Sequence, residues 1–160
     1  MSPGLIGGLL VCAAGGAGGL MAAGELAARH RFLQAMAAGT ARMREEIARF
    51  STPLAPLLES LGGEAEAGFF FAAMGKNGGW SAAVEEAGRR FFLTEADRRA
   101  LMRLGEGLGR CGRSDVLRRL AAAEGEISRR AAEAGELRRK YAKILRFGGF
   151  AIGLTAALLL

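Results

Sequence analysis

No charged residue occurs before Glu25 or after Arg146, so all 22 basic and 16 acidic side chains lie inside that window. A globular domain gains nothing by removing charge from both ends of its chain. A helix crossing a bilayer does, because one charge at its centre costs about 3 kcal/mol on insertion scales. Histidine is nearly absent as well. His30 stands alone, with no Cys or carboxylate cluster nearby, which excludes a zinc constellation and a Ser-His-Asp or Cys-His pair. Gly-x-Ser-x-Gly is missing. The adjacent carboxylates Glu45-Glu46 and Glu85-Glu86 would point about 100° apart on a helix, so neither pair converges on one site. No enzyme, metal or cofactor is expected.

The two cysteines cannot make a disulfide framework, since Cys12 lies in the first apolar segment and Cys111 in the charged window. A reducing cytoplasm is the simpler setting for the window. Lipidation of Cys12 is disfavoured by Val11 before it and by the lack of a basic start. Three prolines and no strand-like alternation of Val, Ile, Thr and aromatics favour an all-helical chain, although 25 glycines weaken many of its turns.

These absences leave three segments: a transmembrane anchor over 1–24, a helical domain over 25–146, and a second transmembrane segment over 147–160, starting as early as 144 if Arg146 snorkels. The stretch GLIGGLLVCAAGGAGGLMAAG is long enough to span, and Gly4–Gly8 and Gly15–Gly19 have the spacing that lets membrane helices approach closely. The C-terminal FGGFAIGLTAALLL is short and spans if tilted or extended, with a surface-lying tail as the alternative. Basic residues flank both segments on the inner side only: Arg29 and Arg31 after the first, and Arg138, Arg139, Lys140, Lys143 and Arg146 before the second. That asymmetry places the domain in the cytoplasm with both termini outside. The net charge of +6 therefore reads as topology and headgroup contact, and nucleic acid is not an expected partner.

Within the window, Leu26, Leu33, Met36, Thr40, Met43, Ile47 and Phe50 form one helical stripe. Ser51-Thr52-Pro53 ends it, with Thr52 as the expected N-cap of the next helix, Pro53 at its first position, and Gly62-Gly63 at its end. A third helix is expected from Glu64 to Met74, and a segment from Trp80 to Leu93 with Val84, Phe91 and Phe92 inward. Thr94-Glu95-Ala96-Asp97 has the pattern of a capping start for a helix through Leu108. The last helix begins near Ser114 and carries Leu117, Leu120, Ala123, Ile127, Ala131, Ala134, Leu137, Tyr141 and Ile144 on one face. The Gly75-Lys76 pair is not a phosphate loop, because Phe70 and Asn77 replace its first glycine and its hydroxyl residue. Thr52, Pro53 and Leu54 are expected to shape a helix corner, and Trp80 to lie in the core. Leu104, Gly105, Leu108 and Gly109 would allow close approach of another helix, internal or from a partner.

Several passages together resemble one family: REEIARFSTPLAPLLESL, GWSAAVEEA, LGEGLG and KYAKILRFGGFAIGLTAALLL, in that order and spacing over nearly the whole chain. The chain resembles stage III sporulation protein AB of endospore-forming Firmicutes. That resemblance implies a GspF-like all-α helical bundle between two transmembrane helices. It further implies a membrane component of the secretion-like channel between mother cell and forespore, in the mother-cell membrane around the forespore. The implied partners are the channel's cytoplasmic secretion-type ATPase, its other membrane components and the lipid bilayer, with self-association left open. The alternative is a basic juxtamembrane adaptor for anionic lipid or nucleic acid.

Overall fold

The computed structural model describes residues 3–50, 53–63, 66–74, 79–106, 108 and 112–159, with side chains described over 17–50, 53–63, 66–73, 79–106, 108 and 112–141. Among the described residues there are six helices and no strand: α1 (Pro3–Phe50), α2 (Leu54–Leu61), α3 (Gly68–Met74), α4 (Gly79–Arg90), α5 (Glu95–Gly105) and α6 (Arg113–Leu159). The all-α expectation holds. The chain divides into two compact units, Ala28–Glu133 and the pair of end segments Met1–Ala27 with Ala134–Leu160.

The central unit is a helical bundle whose core follows from the sequence pattern. Leu33, Met36, Thr40, Met43 and Ile47 of α1 are all buried, as their spacing of three and four residues requires. Thr40 sits in this apolar stripe without an orphaned hydroxyl because its Oγ1 donates to the Met36 carbonyl at 2.8 Å. The stripe is wider than the sequence suggests. Phe32, one position off it, is fully buried, whereas Phe50 at its far end is exposed. The opposing face of α6 buries Leu120, Ala123, Ile127 and Ala131. Arg44 pairs with Glu124 at 2.8 Å, and the Arg113 Nη2 donates to the Ala48 carbonyl at 2.6 Å. The second contact gives a partner to one of the last four carbonyls of α1, which the helix itself cannot satisfy.

The short helices differ from expectation at their ends. Pro53 is the N-cap of α2 with ψ 144°, not its first helical residue, and α2 has no side-chain cap. Thr52 lies outside the described residues. Gly62 closes α2 with ordinary helical dihedrals, its N–H donating to the Leu58 and Glu59 carbonyls. α3 starts at Gly68 after a turn at Glu66 and Ala67, the expected start Glu64 lies outside the described residues, and a Cβ on Gly68 would run into the Gly62 carbonyl. Another close crossing joins α1 to α3, where the Phe71 ring covers Gly39. α5 stops at Gly105, short of Leu108.

The other unit contains the outer parts of α1 and α6. Among its described side chains, Leu20, Met21, Leu137 and Tyr141 are exposed and Ala134 is buried. Among the described residues no helix is long and apolar enough to cross a membrane. The two expected spans fall largely on 1–16 and 147–160, whose side chains lie outside the described set, as do those of Cys12, Lys143, Ile144 and Arg146.

Gly39→Ala should destabilise the bundle by about 1–3 kcal/mol, because its Cβ would stand 2.5 Å from two carbons of the Phe71 ring. Denaturant unfolding in detergent checks this, and the exposed Gly125→Ala change, with open space around it, serves as the control.

Candidate functional site

A buried ion pair and a capping box join the early part of the bundle segment of α1 to the start of α5. Thr94 caps α5 in extended geometry, its Oγ1 accepting from the Asp97 backbone N–H at 3.3 Å. In return Asp97 Oδ2 accepts from the Thr94 N–H at 2.9 Å. This is the capping box expected from Thr94-Glu95-Ala96-Asp97, and it fixes the carboxylate in place at the positive end of the helix. Both Asp97 oxygens then accept from Arg29 of α1, Oδ2 from Nε at 2.7 Å and Oδ1 from Nη2 at 3.2 Å. The Asp97 side chain has no exposure, and that of Arg29 only 9%. A two-pronged pair so buried is a strong geometric constraint between α1 and α5.

One residue along α1, His30 places Nδ1 2.9 Å from the Ala131 carbonyl of α6. One turn along, Phe32 stacks on Phe91 with ring centroids 4.4 Å apart. Phe69 and Phe70 extend the aromatic layer, and Trp80 meets Phe70 edge-on at 4.6 Å. The Arg90 guanidinium lies 5.6 Å from the Phe69 centroid and 5.4 Å from that of Phe91. The sequence contained the cap but not its partner, because Arg29 and Asp97 are 68 residues apart.

This changes the reading of several expected residues. Arg29 is not a free basic flank. It is buried and spent on Asp97. Arg31 is exposed and pairs with Glu66 at 3.1 Å. Arg138, Arg139 and Lys140 are exposed. Trp80 is half-buried and lies over Gly105, so close that any Cβ there would strike the indole. Gly105 therefore serves an internal crossing of α4 and α5. Leu104 is buried and Leu108 half-buried, while Gly109 is outside the described residues. Pro53 is exposed and Leu54 half-buried at the start of α2. Phe92, expected inside, is 51% exposed, with φ 54°. It stands where a glycine usually ends a helix: the Leu93 N–H reaches back to the Gly88 carbonyl at 3.1 Å, the long-range bond of a Schellman turn.

None of these groups forms a nucleophile with an adjacent base. Among the described residues no three His, Cys, Asp or Glu side chains gather as a metal site. What the arrangement can do is hold helices in register and present a charged exterior.

The family model of stage III sporulation protein AB matches residues 4–160. The chain belongs to that family. Its part in sporulation follows from this membership, and the stage III AB family is one of sporulation components. No curated protein and no solved structure matches the chain significantly.

In this stage III AB protein, Asp97→Ala should cost about 3–5 kcal/mol, because it removes the capping carboxylate and leaves the Arg29 guanidinium buried without a partner. Combining Arg29→Met with Asp97→Ser, which keeps a capping hydroxyl, should restore most of the loss. Urea unfolding of both variants measures the difference.

Proposed function

We propose that this family member is a non-enzymatic, membrane-anchored platform of the mother cell–forespore channel, whose bundle docks a secretion-type ATPase to the membrane assembly. The observation that carries the reading is the division of the chain. The two charge-free termini, from opposite ends of the sequence, fall within one compact unit together with residues 25–27 and 134–146 of the charged window, and residues 28–133 make the other. The charge-free stretches of its two helices, 3–24 and 147–159, match what lipid requires of two paired spans. Its helices run unbroken into the bundle, since α1 covers Pro3–Phe50 and α6 Arg113–Leu159.

Exposure of Arg138, Arg139 and Lys140, just before the second charge-free segment, supports a bundle on the cytoplasmic side of the mother-cell membrane. The same three residues favour anionic lipid as their contact. Many surface cations of the bundle are matched instead: Arg103 pairs with Glu126 at 3.1 Å and Arg98 with Glu85 at 3.1 Å. That pairing speaks against a nucleic-acid surface, which would keep its cations free.

Full-length protein reconstituted in phosphatidylglycerol vesicles should recruit the purified channel ATPase in co-flotation. Charge reversal at Arg138, Arg139 and Lys140 should leave recruitment within about twofold while weakening headgroup contact by about fivefold per charge. Vesicles carrying well-folded protein that recruit no ATPase would overturn docking.

A further inference from the structure

Two features of the central unit Ala28–Glu133 are left without a counterpart inside it. The first is a groove of about 630 Å³ formed by α2 and α3. Buried Leu58 and Phe71 make its floor, and exposed Ala55, Pro56 and Ala72 its sides. Its one charged lining residue is Glu59, exposed and with no ion pair or hydrogen-bond partner for its carboxylate among the described residues. The second feature is the turn between α4 and α5. Phe92 occupies the left-handed position of its Schellman turn at φ 54°, where glycine is the usual choice. It is also 51% exposed, so the core does not repay the strain. Such strain persists at positions with a use for the side chain. Three residues earlier, Arg89 is exposed and its guanidinium likewise has no partner among the described residues, whereas Arg90 lies against the Phe69 and Phe91 rings.

The two features complement each other in shape and in charge. The turn projects an aromatic ring with a cation one helical turn before it. The groove offers an apolar floor with a carboxylate at its side. They share no residue, since α3 gives Phe71 and Ala72 to the groove and Phe69 to the contact with Phe91. We propose that the α4–α5 turn of one copy docks into the α2–α3 groove of a second copy of this chain, with Phe92 resting on Leu58 and Phe71 and Arg89 paired to Glu59. Burial of the ring between copies gives it the apolar contact that it lacks within one chain. That accounts for an aromatic residue at a position suited to glycine. The ion pair fixes the direction of docking, because the reverse placement would set the cation on an apolar wall. The two surfaces are unlike, so the contact passes from copy to copy and closes into a ring where the rotation allows. Every residue in it belongs to the central unit, and it depends neither on the anchors nor on ATPase docking.

Photocrosslinking of the full chain in detergent micelles, with no ATPase present, tests the contact. p-Benzoylphenylalanine in place of Phe92 keeps an aromatic ring at the turn. Illumination of mixed light and heavy-isotope protein should give covalent dimers joined from position 92 to tryptic peptide 50–76 of the other copy, at residues 55–62 or 71–72. Dimers joined elsewhere, crosslinks to detergent or lipid alone, or no dimers at all overturn the contact. Sedimentation equilibrium gives a second readout. Glu59→Arg and Arg89→Glu, both at exposed positions, should each weaken self-association by about tenfold with helix content unchanged. The double variant Glu59→Arg/Arg89→Glu should return to within about threefold of the parent. A double variant no better than the single ones, or single variants that associate like the parent, would sink the pairing. Phe92→Gly relieves the backbone strain, so it should resist urea at least as well as the parent while associating about tenfold more weakly. Loss of urea resistance with association intact would assign Phe92 to the fold instead.

Discussion

The pairing of Arg29 with Asp97 is the constraint on which the bundle's arrangement rests. Asp97 already belongs to α5 through the capping box, so the carboxylate has no freedom to follow Arg29 if α1 moves. A buried ion pair adds little net stability over an apolar replacement, but it punishes every arrangement in which one partner is lost. Its effect is therefore on geometry. It sets the height of α5 along α1, and with it the heights of the turn before α5 and of Phe91. The stack of Phe32 on Phe91 and the Trp80 edge against Phe70 then close in a defined order.

The helices use close crossings at several glycines. Phe71 covers Gly39, Trp80 covers Gly105, and the Arg98 guanidinium covers Gly88. In each case a large planar group takes the space of the missing side chain. This explains how a chain so rich in glycine keeps a dense core, because several of its glycines are seats for flat groups on the neighbouring helix.

The stripes on α1 and α6 and the cap of α5 were legible in the sequence, since helical spacing and the Thr-x-x-Asp pattern are local signals. What escaped reading was set by partners distant in sequence. Arg29 looks like any basic residue near an anchor, and only the fold brings Asp97 to it. Phe92 follows Phe91 in an apolar pair, and the sequence does not say which of the two faces inward. The turn decides that by placing Phe92 at positive φ. Phe32 was missed because burial on α1 is broader than a narrow stripe, which happens when helices pack on two sides. Trp80 proved to be a lid over Gly105, so the glycine run from Leu104 serves an internal crossing at the one position where its packing is described.

Not every glycine is a seat. Gly18, Gly24 and Gly125 lie within the two long helices with nothing within 4 Å of where a Cβ would be. Each forgoes about 1 kcal/mol of helical preference without a packing return. Helices so composed are poor at persisting alone, and those of about 15 residues or fewer are marginal even with ideal residues. The length of α1 and α6 is then a property of what surrounds them. Their continuity depends on the packing around them more than on their own helical preference.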